Sequence, residues 1–504
     1  MGTNWKKKLE LGSLLALTTS LADCANWASY QSRPDIRAPI LEISLKNDSL
    51  ISPGYIFIAP YFGDVPGPYI YDTNANLIWS GADGSTTDIF QDLHACAYNG
   101  SDHLCYFQGT QIGGYARGQH EILDSSYRPA ATVRSGNGLE MSDMHESAVI
   151  NGTSMLIPIY QPRTTNLTAY NVPANPGWVI DGVFQEIEIA TGAVVFQWSS
   201  LDQGITPAES YTPPGLNPVV GNGTSNATAW DYFHINSIDK NAAGDYLISA
   251  RHTSGIYKLS GATGAVLWRL GGKQSTFTQT NYNFSSQHDA RFLAENATTT
   301  VLSLFDNGSD NYRNTSATSA GMVVALDHTT NASTLLRRYD APAPGIRAWS
   351  QGSCQILSSG NAFVGWGSTP AFSEHLADGT PVFFAAVADE HSMNYRAYKA
   401  DWSAVPSEPP ALRVYSPAAG AGAGPTTFWM SWNGATGVDH WNIYASAAGA
   451  PEQVVRLGTA GSGGFQTAFT SSAYHPKAFV EAVGGDGTSL ANSSTVDVSS
   501  TLPG

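Results

Sequence analysis

Short apolar runs broken by polar turns recur along most of the chain. One such unit spans 69–79, another 187–198 and a third 256–268, and further copies begin at Glu121, Val323 and Ser373. Each places an apolar pair, an Asp or Thr, a Gly/Asn turn and a second β run in the same order. Six copies, spaced roughly 45 to 70 residues apart, are typical of a β-propeller. The pattern predicts an all-β fold with a six-bladed propeller over residues 35–404.

A proline-rich boundary follows the last of these units. Pro406, Pro409 and Pro410 stiffen the chain there, and a Gly/Ala stretch at 418–424 comes shortly after. The remaining residues alternate aromatic and polar positions in about seven short strands. This pattern predicts a small fibronectin-III-like (Ig-like) β-sandwich over residues 410–504, with its aromatic residues in the core.

The N-terminus has the pattern of a secretory signal peptide. Three lysines at 6–8 precede an apolar run at 11–21, and small residues around 22–25 offer a cleavage site. The run is shorter than the roughly 20 residues that span a bilayer, and no other segment of the sequence approaches that length. We therefore expect residues 1–25 to be removed from a secreted, extracellular protein with no membrane span.

Glycosylation signals agree with a eukaryotic secretory route. Twelve Asn-X-Ser/Thr sequons begin at Asn47, Asn99, Asn151, Asn166, Asn222, Asn226, Asn283, Asn296, Asn307, Asn314, Asn331 and Asn492. This is more than the composition alone predicts, so we expect N-linked glycans. Asn307 is the exception, because its sequon lies in the tract that we place at the channel.

Charge and cysteine content narrow the function classes. With 41 acidic against 25 basic residues the formal net charge is −16, which argues against a nucleic-acid partner. Cys96 and Cys105 bracket a turn and could close a hairpin disulfide in an oxidising compartment. Cys24 falls at the predicted cleavage site. Cys354 lies in an apolar strand, where we expect a buried free thiol.

A histidine recurs at one offset from the Gly/Asn turn of successive blades. His145, His234 and His288 occupy this position in the third to fifth blades, and Gln351 occupies it in the sixth. The innermost strands of a propeller line its central channel, so equivalent positions converge on the axis. The strands that follow end in 251–252 and 306–307, which add further polar groups.

We therefore expect one mouth of the channel to collect imidazole, amide and guanidinium groups. They belong to His145, His234, His252, His288, Asn236, Asn307, Arg251 and Arg291. Such a site suits a planar or tetrahedral oxyanion, with Asp289 and Asp306 orienting the imidazoles. The alternatives are histidines that only bond buried backbone, and a zinc site, for which a carboxylate-rich or His-x-x-x-His context is missing. We expect no metal and no cofactor.

Four motifs give the chain a family resemblance. The runs His234-Ile-Asn-Ser-Ile-Asp, Gln287-His-Asp-Ala-Arg, Leu304-Phe-Asp-Asn-Gly and Val364-Gly-Trp-Gly-Ser-Thr-Pro together resemble the arylsulfotransferase family, especially its fungal branch, over roughly residues 60–405. The resemblance implies a propeller that moves sulfuryl groups between phenols without a nucleotide donor, through a transiently sulfated histidine. It gives oxyanion and acid/base roles to His234 and His288, and matches the family's arginine to Arg313.

The chain departs from the family pattern at one position. The resemblance places the transferring histidine at 350–352, where this chain has Gln351, and no histidine lies between His328 and His375. A glutamine cannot form a stable sulfated intermediate. Under this resemblance, either His252 or His145 has taken the role or the protein does not transfer sulfate by that route.

Three hypotheses about function follow from the sequence. The first is a secreted enzyme that acts on phenolic compounds or aryl sulfates. The second is a propeller enzyme that performs other acid/base chemistry, such as isomerisation or cyclisation of a secondary metabolite. The third is a non-catalytic glycan- or ligand-binding propeller, motivated by the C-terminal domain and the sequons.

Overall fold

Tight turns join the short strands of this all-β chain. The computed structural model describes residues 25–84, 88–417, 424–447 and 450–502, and in these ranges it has thirty-nine strands and three single-turn 3-10 helices. Between the strands at 255–259 and 266–271, Gly264 has a φ of 74°, a conformation that favours glycine. The predicted signal peptide with Cys24, and most of the Gly/Ala stretch, lie outside the described residues.

The strands follow one another in chain order. The first group is β1 (Trp27–Ser29), β2 (Arg37–Pro39), β3 (Leu41–Lys46), β4 (Tyr55–Ile58), β5 (Pro60–Tyr61), β6 (Tyr69–Tyr71) and β7 (Leu77–Ser80). The second is β8 (Ile89–Tyr98), β9 (Ser101–Ile112), β10 (Tyr115–Leu123), β11 (Pro129–Val133), β12 (Ala148–Ile150), β13 (Ser154–Thr165), β14 (Gly177–Glu188), β15 (Val194–Ser199) and β16 (Trp230–Asp231). The 3-10 helices are Thr168–Tyr170, Pro207–Glu209 and Asn226–Thr228.

The second half of the chain continues in the same way. Its strands up to residue 400 are β17 (Ile235–Lys240), β18 (Tyr246–Ala250), β19 (Gly255–Leu259), β20 (Val266–Gly271), β21 (Thr278–Thr280), β22 (His288–Glu295), β23 (Thr299–Asp306), β24 (Ala320–Asp327), β25 (Ala332–Asp340), β26 (Ser353–Ile356), β27 (Ala362–Gly365), β28 (Ala371–His375), β29 (Pro381–Val387), β30 (Met393–Asn394) and β31 (Tyr398–Ala400). The C-terminal strands are β32 (Ala411–Tyr415), β33 (Thr426–Ser431), β34 (Val438–Ala447), β35 (Ala450–Gly461), β36 (Gln466–Ser471), β37 (Lys477–Gly484), β38 (Ser489–Asn492) and β39 (Val496–Asp497).

Six antiparallel sheets, each built on four strands, use most of residues 41–400. Sheet 1 contains β31, β4, β6 and β7, sheet 2 contains β8 to β11, and sheet 3 contains β12 to β15. Sheet 4 contains β17 to β20, sheet 5 contains β22 to β25, and sheet 6 contains β26 to β29. Extra strands join at the edges: β3 pairs with β29, β16 runs parallel to β14, and β21 runs parallel to β25.

The first strands of the six sheets form a closed series of contacts. β31 contacts β8, which contacts β12, and the series continues through β17, β22 and β26. β27, the second strand of sheet 6, contacts β31 and closes the ring. Apolar side chains such as Trp268, Leu302 and Met322 pack between neighbouring sheets, so the core is divided among the sheet interfaces. Polar groups at the starts of the first strands therefore meet near a common axis.

Two segments distant in sequence close the ring. In sheet 6, Phe383 of β29 pairs with Lys46 of β3, from the N-terminal part of the chain. In sheet 1, Tyr398 of β31 pairs with Phe57 of β4. The two ends of this region are therefore held in the ring by backbone hydrogen bonds at two different sheets.

Residues 411–497 form two further antiparallel sheets. One contains β32, β33 and β36, and the other contains β35, β34, β37 and β38, with β39 paired to β37. Phe428, Trp441 and Val480 lie in the core between them, as expected from the aromatic pattern. The hydroxyl of Tyr127 in the first region donates to the carbonyl oxygen of Gly434 at 2.8 Å, which links the two regions.

The three cysteines within the described ranges are placed as the sequence predicted. Cys96 and Cys105 form a disulfide across the hairpin of β8 and β9, with a Cα–Cα distance of 5.9 Å. Cys354 is a buried free thiol, and burial raises the pKa of its sulfur well above the ordinary value. Such a thiol stays protonated and inert. In the described ranges, no helix has the length and apolar character needed to cross a membrane.

Candidate functional site

Three histidines and one glutamine stand where the chain enters the first strands of sheets 3 to 6. His145 precedes β12, His234 precedes β17, His288 opens β22 and Gln351 precedes β26. Because these strands lie side by side around the axis, their starts meet at one end of the ring. The ring centroids of His145 and His234 are 4.8 Å apart there. All four residues line one cavity of about 680 Å³, which we call the histidine pocket.

Two of the imidazoles are each held by a carboxylate that lies slightly earlier in the chain. Nδ1 of His145 hydrogen-bonds to Asp143, and Nδ1 of His234 hydrogen-bonds to Oδ2 of Asp231 at 2.5 Å. No described residue hydrogen-bonds to the Nε2 atom of either ring. A carboxylate on Nδ1 fixes the tautomer and the ring orientation. It therefore leaves the Nε2 lone pair of each ring free for chemistry.

Arg251 and His252 follow β18 and join this pair. Nδ1 of His252 donates to the backbone oxygen of Asp231 at 2.6 Å, while its Nε2 accepts from Arg251 at 2.9 Å. The ring centroids of His252 and His234 are 4.5 Å apart. Both nitrogens of His252 are thus occupied, whereas its neighbour His234 keeps one free.

His288 is also fully occupied. Its Nδ1 donates to Oδ1 of Asn307 at 2.7 Å, and its Nε2 accepts the backbone N–H of Gln351 at 3.2 Å. The amide of Asn307 in turn donates to the carbonyl oxygens of Ala348 and Gln351. This network ties sheet 5 to sheet 6 and makes His288 a structural member of the site.

Burial keeps the imidazoles of His234, His252 and His288 uncharged. Desolvation lowers the pKa of His234 and of His288 well below the ordinary value, and lowers the pKa of His252 to about 3. Burial also lowers the pKa of Arg251, yet a guanidinium remains charged at neutral pH. The sequence predicted that imidazole and guanidinium groups collect here. The positive charge comes from Arg251, and His234 supplies a neutral nitrogen lone pair.

Two of these residues have a backbone conformation that is unusual for their type. His234 has a φ of 59° and Gln351 a φ of 66°, both in the left-handed region. Such conformations cost on the order of 1 kcal/mol and persist where the surroundings enforce them. Here the carbonyl oxygen of His234 accepts the backbone N–H of Arg251 at 2.9 Å. The fold thus holds these two residues of the site in a strained backbone conformation.

One group of side chains has the geometry of a possible metal site. The ligand atoms of Asp231, His234 and His252 lie within 4.8 Å of one another. The donor set is a poor match for a cation, because the Arg251 guanidinium donates to Nε2 of His252 at 2.9 Å and its charge repels a metal ion. The absence of a resident metal stays a prediction.

The structure places Arg291 away from the histidine pocket, contrary to expectation. Its guanidinium pairs with Glu146 at 2.7 Å and with Asp289 at 2.8 Å, beside the fully buried Arg396. Asp289 also accepts the backbone N–H of Cys354. These charged groups form a network of their own, and Asp289 does not orient an imidazole.

Three other predicted residues also serve different purposes. Asn236 donates to the backbone oxygen of Gln287 at 2.7 Å, which joins sheets 4 and 5. Asp306 accepts the N–H groups of Ser285 and Gly308, and burial raises its pKa to about 6. Arg313 pairs with Asp310 at 2.9 Å and lines a smaller neighbouring cavity. None of the three contacts an imidazole of the pocket.

Sequence reasoning missed the residues that hold the histidines. Asp143 lies two residues before His145 and Asp231 three before His234, and an acidic residue so close to a histidine is a local signal that could have been used. Tyr395 and Arg396 carry no such signal. Both donate to the carbonyl oxygens of His145 and Asn236, at 2.7 to 3.0 Å, from a segment about 160 to 250 residues away in the chain.

Solved structures that match the chain include two β-propellers. A protein of unknown function from Bacteroides caccae shares 12% identity, with 69% of this chain and 99% of that chain covered and a TM-score of 0.40. The Dos1 propeller shares 12% identity over 70% and 77% of the two chains, with a TM-score of 0.30. The β-propeller domain of Cps50 (Swd1) from Myceliophteria thermophila shares 10% identity over 66% and 87%, with a TM-score of 0.31.

The family to which the chain is similar is shown by a match along its sequence. No curated protein matches the chain. Residues 94–388 match the family described as Arylsulfotransferase (ASST). The matched range is more than half of the chain and contains His145, His234, His252, His288 and Gln351.

Proposed function

We propose that this chain, which belongs to the arylsulfotransferase (ASST) family, moves a sulfuryl group between phenolic compounds bound in the histidine pocket. One observation carries the proposal: the Nδ1 of His234 is on Asp231, and its Nε2 has no hydrogen-bond partner among the described residues, in a pocket that also holds the Arg251 guanidinium. A neutral imidazole held in this way is a nucleophile. A nearby guanidinium stabilises the charge on the sulfuryl oxygens.

His234 is the residue that we assign to the transfer. Its ring lies between His145 and His252, with centroid distances of 4.8 and 4.5 Å. His252 and His288 have both nitrogens engaged by the protein, so neither offers a lone pair. The assignment gives this chain a transferring histidine although Gln351 stands at the position that the family resemblance pointed to.

The reaction has two balanced steps. First, the Nε2 lone pair of His234 attacks the sulfur of an aryl sulfate, an N–S bond forms, and the S–O bond to the ring breaks as phenolate leaves with its electron pair. The Nδ1 proton stays hydrogen-bonded to Asp231, whose carboxylate balances the charge of the sulfated ring. Second, the oxygen of an acceptor phenol attacks the sulfur and the N–S pair returns to Nε2. His145 takes the acceptor's proton and releases it to solvent.

A donor–acceptor assay tests this proposal. The protein is incubated with 4-nitrophenyl sulfate and a phenol acceptor, and release of nitrophenol is followed by absorbance. We expect turnover that His234→Ala abolishes and that His440→Ala, in the C-terminal sheets, leaves unchanged. Without acceptor, mass analysis of the quenched protein should place the added sulfuryl group on the peptide containing His234. No turnover with any aryl sulfate, or a sulfated peptide elsewhere, contradicts the proposal.

A second candidate is acid/base chemistry on a sulfate-free ligand. It is favoured by the pair His145 and His234, because each ring is backed by a carboxylate and the ring centroids are 4.8 Å apart. Two adjacent bases of this kind can remove a proton at one carbon and return it at another, as in isomerisation or cyclisation. Conversion of a secondary metabolite without sulfate, lost in both His145→Ala and His234→Ala, would support it over sulfuryl transfer.

We also propose a domain organisation and a cellular route for the protein. The six sheets and their closed series of contacts support a six-bladed β-propeller at 35–404, followed by a fibronectin-III-like sandwich at 410–504. The signal-peptide pattern and the sequons support a secreted, N-glycosylated protein of the fungal branch of the family. Expression of the full chain in a secreting eukaryotic host, with N-terminal sequencing of the product in the medium, tests secretion and cleavage together.

A further inference from the structure

The mouth of the histidine pocket carries bulky aromatic side chains that the protein leaves uncovered. Phe62 is 60% exposed, Tyr312 is 55% exposed and Trp349 is 38% exposed, and all three line the pocket. They come from three separate connections, after β5, between β23 and β24, and between β25 and β26. We call these residues the rim aromatics. Large apolar groups clustered around a cavity mark a ligand surface more often than scattered ones do.

The backbone of each rim aromatic is held although its ring is exposed. The N–H of Trp349 donates to the Ser368 hydroxyl at 3.1 Å, and its carbonyl oxygen accepts from Arg251 at 3.0 Å. The N–H of Tyr312 donates to Asp310 at 2.9 Å. Phe62 has a φ of 66° and packs its ring against Tyr61, with centroids 4.6 Å apart. Backbone hydrogen bonds therefore hold the main chain at Trp349 and Tyr312, and a ring contact holds Phe62 beside Tyr61.

The size of the pocket sets the size of the ligand. An apolar cavity of about 150 Å³ holds one benzene ring. The histidine pocket, at about 680 Å³, is more than four times larger. A one-ring phenol would therefore leave most of the pocket filled with water.

Two buried polar atoms of the pocket residues lack hydrogen-bond partners among the described residues. Oε1 of Gln351 is buried and accepts no hydrogen bond from a described residue, and Nε of Arg251 is buried and donates none. Both residues line the pocket. A buried polar atom without a partner is costly unless a ligand supplies one. A ligand hydroxyl can donate to Gln351, and the oxygen of the same group can accept from Arg251.

We propose that the histidine pocket selects an extended, planar phenol of three or four fused rings. The flat ring system stacks on the rim aromatics, and its hydroxyl reaches down to Gln351 and Arg251 beside His234. The assignment rests on the proposed function only in placing an aromatic ligand in the same pocket. The volume of the pocket favours this class over single-ring phenols, and stacking on flat rings favours it over bulky saturated alcohols.

Binding measured without sulfate tests the assignment. The probe is 1-hydroxypyrene, a four-ring phenol followed by its own fluorescence anisotropy, with phenol, 2-naphthol and a saturated four-ring alcohol as competitors. We expect affinity to rise about tenfold from phenol to 2-naphthol and again to 1-hydroxypyrene, because each added ring buries more apolar surface. Equal affinities for the phenols, or a saturated alcohol that binds as tightly as the probe, would overturn the proposal.

Variants of the rim separate this pocket from nonspecific binding. Phe62→Gly removes a ring at a position whose left-handed backbone suits glycine, so we expect this variant to fold, and its urea denaturation curve should match that of the unmodified protein. We expect it and Trp349→Ala to weaken 1-hydroxypyrene binding about tenfold, while the affinity for phenol stays unchanged. Leu336→Ala, 53% exposed on β25 outside the pocket, is the matched control and should bind normally. Unchanged probe binding in both rim variants contradicts the proposal. Because no turnover is needed, a failed sulfuryl-transfer assay leaves these results interpretable.

Discussion

Gln351 donates its backbone N–H to Nε2 of His288 across 3.2 Å. The bond uses the lone pair that a nucleophilic or basic histidine would need, and the other ring nitrogen already donates to Asn307. His288 therefore connects sheets 5 and 6, although it stands at the same repeat offset as His234.

We expect His288→Ala to destabilise the fold. The change leaves the Gln351 N–H and the Asn307 oxygen without partners and opens a cavity, which together lower the free energy of unfolding by about 2–4 kcal/mol. Urea denaturation followed by tryptophan fluorescence measures this. His440→Ala serves as the control and should change stability little. A His288→Ala protein as stable as the unmodified one would show that the network is not structural.

Gln351→His should place an additional nucleophilic imidazole in the pocket, at the position that the family resemblance points to. The left-handed φ of 66° at this position is tolerated better by histidine than by most side chains. We expect faster nitrophenol release from 4-nitrophenyl sulfate and a sulfated peptide that contains residue 351. Gln351→Asn, which adds no nucleophile, is the matched control. Sulfation that stays on His234 alone would indicate that the pocket cannot present an aryl sulfate to residue 351.

His120 should make the fold sensitive to acid. It is completely buried on β10 beside Phe107, neither ring nitrogen has a partner among the described residues, and burial lowers its pKa to about 3. Asp143 and Glu146 oppose that shift, and His94 adds to it. Because the folded pKa lies below the unfolded value near 6.5, the unfolded chain binds a proton in this window and the folded chain does not.

The stability associated with His120 is therefore complete above about pH 6.5 and is lost as the pH falls toward 3, at about 1.4 kcal/mol per pH unit. His120→Leu removes this one-proton dependence. Urea denaturation of both proteins at pH 6.5 and pH 5 should show the variant gaining about 2 kcal/mol relative to the unmodified protein. Parallel pH profiles for the two proteins would contradict the prediction.

Arg396→Met should be among the most damaging single changes. Arg396 is fully buried, pairs with Asp92 at 3.0 Å and Glu146 at 3.3 Å, and donates to the carbonyl oxygens of His145 and Asn236. Its loss leaves buried carboxylates uncompensated, at a cost of about 3–5 kcal/mol. Arg396→Lys keeps the charge but not the forked donor, so we expect an intermediate loss in urea denaturation. Equal stability of Arg396→Met and the unmodified protein would contradict this.

Asn307 should carry no glycan even when the protein is secreted. Its side chain is buried, and its amide nitrogen donates to two backbone oxygens at 2.9 Å. The sequons at Asn47, Asn296 and Asn331 are exposed. After enzymatic deglycosylation of the secreted protein, mass analysis should find conversion to aspartate at exposed sequons and none at Asn307. Conversion at Asn307 would mean that the enzyme that attaches N-linked glycans acts before this part of the ring forms.

Local sequence patterns were sufficient for the strands and for the alignment of the histidines. Five of the six sheets are built on consecutive strands, and a histidine recurs where the chain enters the first strand of sheets 3, 4 and 5: His145, His234 and His288. A local irregularity also explains an error. A β-bulge interrupts the strand register between His288 and Arg291, and Asp289 has a φ of 55°. The sequence pattern does not indicate this bulge, and Asp289 and Arg291 pair with each other at 2.8 Å instead of facing the pocket.

Contacts between distant segments could not be read from the same patterns. Nothing in the sequence around Tyr395 and Arg396 indicates that their side chains bond to the backbone of His145 and Asn236. The occupation of both nitrogens of His288 is equally hidden, because one partner is a backbone N–H in another sheet. The repeat identified the ring of positions, and the packing decides which members of that ring are chemically free.

The order of synthesis determines when the site can form. β4 pairs with β31, which lies about 340 residues later in the chain, and Tyr395 and Arg396 belong to the same late segment. When β29 is complete, the ribosome has made His145, His234, His252 and His288, but not His391, which also lines the pocket, nor Tyr395 and Arg396. A chain that stops there lacks the side chains that hold the backbone of His145, so we expect it to form an incomplete pocket.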